Sequence, residues 1–506
     1  MTTDTAHELG ASRTFWELIE RRAALTPDRP VLFQDDRTLT FEELRAGAER
    51  TAAGLHAMGV RPSTVVAWQL PTRIETVVLA TALTRLGAVQ SPVIPFYRDR
   101  EVAFAVRESK ASHFAVPGTW RGFDHTTMAK RIEAPGVFEA YDALPSGDPS
   151  TLPPPPTSGT DVRWIYWTSG TTSDPKGVLH TDRSLIAGGA CLAHALHLSP
   201  EDVGSIAFPF AHIGGPDYLV MLLLYGFPAV LFEKFALPHA LAGFRERGVT
   251  VAGGSTAFYS MFLAEQRKQP DTRLIPSLRL LAGGGAPKPP ELHHAVVREM
   301  GVRLTHGYGM TEVPMITMGS PDDSEEDLAT TEGRPPQGME IRIVDGEVRL
   351  RGEAVCRGYL DPAQTAGAFD EDGFLITGDL GHLTGSGHLV LTGRLKDVII
   401  RKGENISAKE IEDLLHRHPA VGDVAVIGLP DAERGERVCA VVETSEQPPG
   451  TPPLTLSALS AHLRAEGLSP HKLPEQLELV DALPRNEALR KVLKYKLRER
   501  YSGTVK

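Results

Sequence analysis

Cysteine is scarce in this chain. Three residues in 506, Cys191, Cys356 and Cys439, stand far apart, are odd in number and form no CxxC pair. A disulfide framework or a cysteine-rich zinc site is therefore not expected, and a reducing cytosol fits. Positive charge is in deficit: 53 lysines and arginines face 64 acidic residues, a formal charge of −11. Nucleic acids and anionic membranes recruit basic surfaces, so neither is expected as the main partner, whereas a small anionic ligand needs only local positive charge. Long apolar runs are missing too. The longest, Tyr218 to Phe232, has 15 residues, contains Gly226 and Pro228, and is followed by Glu233 and Lys234. It is short for an integral membrane segment and reads as a buried helix-turn-strand. The opening MTTDTAHELG has no basic region and no apolar stretch, so no signal peptide is expected and a cytoplasmic location is. There is no GxxxxGK[ST] phosphate loop, no internal repeat of 20 to 50 residues and no convincing Ser-His-Asp or Cys-His set.

What is present is ordinary globular composition, 41% hydrophobic and 23% charged. The length implies several fused units. Thr40-Phe-Glu-Glu43 is a capping-box pattern opening a helix that runs up to Gly59. Val65 to Leu70 reads as a strand, and Thr76 to Leu86 as a helix ending at Gly87. Strands alternating with helices over the first 330 or so residues predict βαβ units and largely parallel sheets. From about residue 340 the pattern changes. Ile341, Ile343, Val348 and Leu350 alternate with polar residues around Asp345-Gly346, a hairpin signal, and recurrent glycines from Gly378 to Gly393 punctuate a small antiparallel β unit. Beyond Gly393-Arg394 a helix (407–415), two strands (421–427 and 437–444) and a further helix (456–464) form an α+β tail.

Several segments have residue types suited to phosphate and nucleotide chemistry. Thr168-Ser169-Gly170-Thr171-Thr172-Ser173-Asp174-Pro175-Lys176-Gly177 follows the strand-like Trp164 to Trp167. Such a loop presents backbone N–H groups, hydroxyls and an ammonium to polyphosphate, or is simply a solvated loop. Gly283-Gly284-Gly285-Ala286 lets a flat ring approach the backbone, or is a tight turn. In Gly307-Tyr308-Gly309-Met310-Thr311-Glu312 the carboxylate suits Mg²⁺, although a lone glutamate in a loop is usually just solvated. Asp379 in Thr377-Gly378-Asp379 suits a ribose diol or an Asx-turn. Arg394 stands where the composition changes, and Lys491 in a basic C-terminal stretch.

In this order the segments resemble the acyl-adenylate-forming superfamily of acyl-CoA synthetases, peptide-synthetase adenylation domains and luciferases. The resemblance covers essentially the whole chain, and includes Gly333-Arg-Pro335, Gly358-Tyr359, Gly393-Arg-Leu-Lys-Asp397, Gly403-Glu-Asn-Ile406 and Glu410-Ile-Glu412. It implies an α/β fold: a large N-terminal domain of βαβ-type sheets plus a small β-barrel-like subdomain over 1–395, and a smaller mobile α+β C-terminal lid over 396–506, turning at Lys396. It further implies that Thr168, Ser169, Gly170, Thr171, Thr172 and Lys176 hold the β- and γ-phosphates of ATP. Gly284, Gly285, Ala286, His306, Gly307 and Tyr308 bracket the adenine. Thr311 contacts the α-phosphate, Glu312 ligates Mg²⁺, and Asp379 takes the ribose hydroxyls with Arg394 assisting. Lys491 bridges the reacting carboxylate and phosphate, and His212 lines the acyl pocket.

The implied activity is an AMP-forming acid–thiol ligase, a carboxylate–CoA ligase using ATP, Mg²⁺ and CoA on a medium-chain, alicyclic or aromatic acid, since no Lys or Arg is evident near His212 to Gly215. The alternative acceptor is a carrier-protein thiol, an amine or another nucleophile, and a nucleotide-binding protein without catalysis is a third reading. Two departures stand out. Leu489-Arg490 precede Lys491 where the family usually has Gly, and Ala408 stands where many relatives have proline.

Overall fold

The computed structural model describes residues 3–168, 175–402, 404–431, 433–445, 453–486 and 490–502. Its first helices form where the sequence supplies local stops and starts. Phe41–Ala57 opens on a reciprocal capping box between Thr40 and Glu43, and Ile74–Leu86 ends at Gly87 with φ +64. The left-handed C-terminal residue satisfies the last carbonyls, and glycine adopts it without steric cost.

Three sheets carry the first two-thirds of the chain. One runs in the order Gly177–Thr181, Val162–Trp167, Val89–Pro92, Val65–Trp68, His113–Val116, Val137–Glu139 and is parallel except at its first pair. A second has Gly204–Ile206, Ala229–Leu231 and Pro30–Gln34 in parallel, with Arg37–Thr40 antiparallel at the edge. The third has Val251–Gly254, Leu280–Gly284 and Arg303–Met310 in parallel, with Val313–Met318 returning antiparallel. Helices cover these sheets, and Trp16, Trp68, Trp164 and Phe210 lie fully buried in the core they share. The apolar run expected as a helix-turn-strand is the helix Gly214–Tyr225, Gly226 with φ +71, and the strand Ala229–Leu231.

The pattern change near residue 340 is an antiparallel four-stranded sheet of Met339–Val344, Glu347–Gly352, Leu375–Leu383 and Leu389–Arg394. Its first turn, Asp345-Gly346, has φ +50 and φ +82, the mirror-image turn that matches strand twist. After the short helical turn Leu395–Asp397 comes the α+β tail. Its sheet pairs Glu404–Ser407, Val398–Arg401, Gly435–Thr444 and Val421–Asp431, with Gln476–Val480 parallel to Gly435–Thr444. The helices Ala408–Leu415 and Leu456–Ala465 bury Ile411, Leu415, Leu459 and Leu463 against that sheet. The architecture is the α/β arrangement expected: large βαβ-type sheets, an antiparallel β unit and a smaller α+β part. Among the described residues no helix is long and apolar enough to cross a membrane.

Candidate active site

The parallel strands Leu280–Gly284 and Arg303–Met310 end side by side, with Gly284 opposite Gly307. A Cβ on Gly283 would collide with the Gly254 carbonyl, and one on Gly284 with the Gly307 carbonyl, so only glycine lets these strand ends lie flush. Gly283 and Gly284 are thus strand residues and not a turn. The turn begins at Gly285, with φ +84. His306 donates from Nε2 to the Ala286 carbonyl at 2.9 Å. That contact fixes the tautomer and leaves Nδ1, buried and without a hydrogen-bond partner among the described residues, as a bare acceptor. Burial pulls His306 down to about 3, with Lys288 pushing the same way, so the ring is neutral. Gly285, Ala286, His306, Gly307 and Tyr308 line a cleft of about 1420 Å³.

Asp379 and Arg394 enter the same cleft from the antiparallel sheet, where they are direct cross-strand partners. Arg394 Nε lies 2.6 Å from one carboxylate oxygen of Asp379, and the Tyr308 hydroxyl donates to the other. The Asp379 amide is held by the Thr377 hydroxyl at 3.0 Å. Asp379 is 3% exposed, and burial first, then its charge, drives the Tyr308 phenol far above its ordinary value.

Thr311 and Glu312 form the tip of the hairpin between Arg303–Met310 and Val313–Met318. His180 Nε2 donates to the Thr311 carbonyl at 2.8 Å, and burial holds this imidazole near 4, hence neutral. Glu312 is buried, and the Tyr359 hydroxyl donates to its Oε1 at 2.8 Å. The Lys176 ammonium stands 4.9 Å from the centre of the same Tyr359 ring. Thr168 and Lys176 close the neck of the phosphate-loop candidate: Thr168 N–H donates to the Lys176 carbonyl at 3.0 Å, and Lys176 N–H to the Thr168 hydroxyl at 3.3 Å. Ser169, Gly170, Thr171 and Thr172 lie outside the described residues, as does Gly403.

Lys491 reaches the cleft from the tail. Its backbone N–H is held by the Asn486 side chain at 3.0 Å. Burial lowers its ammonium to about 8, Arg394 and Lys396 push it further down, and Asp379 and Glu312 oppose them. Arg490, in the place usually taken by glycine, has φ +59. The backbone is left-handed here, and a residue with a side chain adopts it at a cost of roughly 1–2 kcal/mol. His212 accepts from the Gly214 N–H at 3.2 Å, and burial together with the Lys491 charge holds its ring at about 4. The reading that no cation stands near His212 was local to the sequence, and the fold places Lys491 within electrostatic reach.

Those expected residues that are described fall into two neighbouring groups. Gly284 packs behind the wall formed by Gly285, Ala286, His306, Gly307, Tyr308, Asp379, Arg394 and Lys491. Thr168, Lys176, Thr311, Glu312 and His212 are not part of the described cleft wall, but Glu312 and His212 lie in the field of Lys491. Three residues given no role from sequence belong to the neighbourhood. Lys288, buried and lowered to about 8, donates to the Ala329 carbonyl at 2.7 Å, Glu332 Oε2 lies 3.4 Å from His306, and Tyr359 joins Glu312 to Lys176. Only Tyr359 had a sequence signal, as part of Gly358-Tyr359.

The donor chemistry fits a magnesium nucleotide. Mg²⁺ takes one or two carboxylates and completes its shell with phosphate oxygens and water. Glu312 offers a single oriented carboxylate. Among the described residues the one group of three or more metal-ligating side chains is His293, His294 and Glu325, and it does not include Glu312.

Comparison with known proteins agrees with this geometry. The AMP-binding enzyme family profile matches residues 19–360, and the AMP-binding enzyme C-terminal domain matches 410–488. The 3-[(3aS,4S,7aS)-7a-methyl-1,5-dioxo-octahydro-1H-inden-4-yl]propanoyl:CoA ligase of Mycobacterium tuberculosis is 34% identical over 96% of this chain and 99% of the relative. The salicyl-AMP ligase / salicyl-S-ArCP synthetase of the same organism is 31% identical over 94% and 88%. Among solved structures, the o-succinylbenzoate CoA synthetase of Bacillus subtilis bound to its acyl-adenylate OSB-AMP superposes with TM-score 0.83 at 28% identity, covering 97% of this chain and 99% of that one. The same enzyme with ATP and magnesium ion gives TM-score 0.82 at 29% identity, covering 95% and 98%. The chain belongs to the AMP-binding enzymes, the acyl-adenylate-forming superfamily. It is an enzyme of the AMP-forming acid–thiol ligase type.

Proposed function

We propose that this protein is an ATP- and Mg²⁺-dependent carboxylate–CoA ligase acting through an acyl-adenylate in the cytoplasm. The observation that carries the reading is the meeting of Lys491, from the tail, with Asp379 and Arg394, from the larger part, in one cleft, with Glu312 within electrostatic reach of Lys491. In this reading Asp379 accepts both ribose hydroxyls and Arg394 keeps its carboxylate aimed. Gly284 to Ala286 and His306 to Tyr308 bracket the adenine. Thr168 to Lys176 hold the β- and γ-phosphates, Thr311 meets the α-phosphate, and Glu312 holds Mg²⁺. When bound, the ion offsets negative charge on the phosphate oxygens.

A carboxylate is a poor electrophile, and its approach to ATP brings anions together. Lys491, protonated below about pH 8, is placed to offset the charge that grows between acid and α-phosphate. A carboxylate oxygen forms a bond to the α-phosphorus, the bond to the β-bridging oxygen breaks, and pyrophosphate leaves. The CoA thiol then attacks the acyl carbon, the bond to AMP breaks, and the thiol proton passes to solvent. Reuse of the cleft for the second step involves rotation of a lid comprising 396–506 about Lys396, which removes Lys491. Phe208, Phe232, Phe235, Phe258 and Met261 line another part of the cleft, which favours an apolar medium-chain, alicyclic or aromatic acid. Purified protein with a panel of acids is expected to show acid-dependent pyrophosphate exchange, and AMP with acyl-CoA once CoA is added. ATP consumption indifferent to the acid would refute the proposal.

The likeness to a salicyl-S-ArCP synthetase favours a second reading, with a carrier-protein thiol as acceptor. A product assay offering CoA and a loaded carrier protein side by side distinguishes the two.

A further inference from the structure

The geometry points to Tyr359 as a positioning residue that couples the magnesium-binding carboxylate to the phosphate-loop lysine, an inference that rests on the adenylating reading above. Two parts of one side chain face two motifs. The hydroxyl donates to Glu312 Oε1 at 2.8 Å across 47 residues of sequence. The ring face receives the Lys176 ammonium at 4.9 Å from its centre. A buried tyrosine hydroxyl needs some partner, and here that partner is the carboxylate assigned to the metal, while the ring faces the phosphate-loop lysine.

The backbone around Tyr359 is fixed for this purpose. Residues 357–360 run alongside the strand Gly177–Thr181, which starts directly after Lys176. Arg357 N–H donates to the Leu179 carbonyl at 2.8 Å, Leu179 N–H to the Gly358 carbonyl at 2.9 Å, and Leu360 N–H to the Gly177 carbonyl at 2.7 Å. The Thr365 hydroxyl accepts from the Tyr359 N–H at 2.8 Å and lies within 3.2 Å of its carbonyl. Gly358, with φ +108, has Thr365 packed where a Cβ would stand. On the other side, the Cys356 N–H donates to the Glu312 carbonyl at 2.8 Å, so backbone and carboxylate of Glu312 are both tied to the segment that carries Tyr359.

The ring and the hydroxyl have separable consequences. The hydroxyl orients one oxygen of Glu312, so its loss weakens the hold on the metal. The ring restricts the Lys176 ammonium on its way to the phosphates, so its loss weakens the hold on ATP whatever the metal concentration. One side chain thus supplies two distinct contacts, one to the metal carboxylate and one to the lysine.

The test uses the full-length protein and calorimetric titration with ATP at Mg²⁺ concentrations from limiting to saturating, with thermal unfolding followed in parallel. Tyr359→Phe is expected to weaken ATP binding about 10- to 100-fold at limiting Mg²⁺, the range for partners that orient metal ligands, and to approach wild type at saturating Mg²⁺. Its unfolding temperature is expected to change little. Tyr359→Leu is expected to bind ATP more weakly at every Mg²⁺ concentration. Combined with Lys176→Ala it should lose less than the sum of the single losses, whereas Tyr359→Phe with Lys176→Ala should lose the sum. Two outcomes in a protein that binds ATP would overturn the inference alone: Tyr359→Phe titrating like wild type throughout, or a Tyr359→Phe loss that ignores Mg²⁺ and tracks lowered thermal stability. A wild-type protein that binds no ATP would overturn the functional reading, and this inference with it.

Discussion

Arg394 and Asp379 face each other across two antiparallel strands, with the guanidinium Nε 2.6 Å from a carboxylate oxygen and the Tyr308 hydroxyl on the other oxygen. Both partners are donors, so the carboxylate is kept as an acceptor in a nearly buried position. Two hydroxyls of a ribose are the kind of ligand that suits it.

Asp379→Ala is therefore expected to weaken ATP binding by about 1.5–3 kcal/mol, the range for hydrogen bonds to a charged group. The substitution also strands Arg394 and the Tyr308 hydroxyl. Calorimetric titration with ATP checks this, and an unchanged affinity contradicts the assignment.

The ammonium of Lys491 sits at about 8, lowered first by burial and then by Arg394. It is charged below that value and neutral above it. The kcat/KM of adenylation, which reports the free enzyme, should accordingly fall as the pH rises through about 8. Lys491→Arg, which stays charged, should flatten that limb at a lower overall rate. The rings of His180 and His212 lie near 4 and His306 near 3, so none of them should contribute a limb between about pH 5 and 8.

Gly284→Ala should disable the nucleotide cleft. The new methyl would meet the Gly307 carbonyl, so the two strands must part. Forced overpacking costs about 1–3 kcal/mol. A lowered denaturation midpoint together with weakened ATP binding is expected. Wild-type values for both would show that the strand ends tolerate a side chain.

Arg490 tests whether a departure from the family pattern is tolerated strain. At φ +59, replacement by glycine relieves roughly 1–2 kcal/mol of left-handed strain but loses about 0.4–1 kcal/mol through the freer unfolded chain. Arg490→Gly should be at least as stable as wild type and keep Lys491 in place. A variant destabilised by more than about 1 kcal/mol would mean that the arginine side chain has a role of its own, since these two terms leave no room for such a loss.

Local features of the fold were the readable ones. The Thr40–Glu43 box, the Gly87 stop and the Asp345-Gly346 turn each depend on residues a few positions apart, and each forms as expected. The residues proposed for the nucleotide site were recognisable only as an ordered set, because each segment alone fits a plain turn or solvated loop. The long-range pairings had no comparable signal. Tyr359 meets Glu312 from 47 residues away, and Glu332 approaches His306 from a separate segment. Lys491 acts on His212 only because the tail packs over the cleft, which no reading of the residues flanking His212 could reveal.

The most direct measurement follows an oxygen atom. A carboxylic acid that supports pyrophosphate exchange is labelled with ¹⁸O in its carboxyl group and turned over with ATP, Mg²⁺ and CoA, and the nucleotide and pyrophosphate are weighed by mass spectrometry. If the acid attacks the α-phosphorus, AMP acquires one labelled oxygen and pyrophosphate acquires none. Label in pyrophosphate or phosphate, ADP as the product, or unlabelled AMP would contradict the acyl-adenylate account.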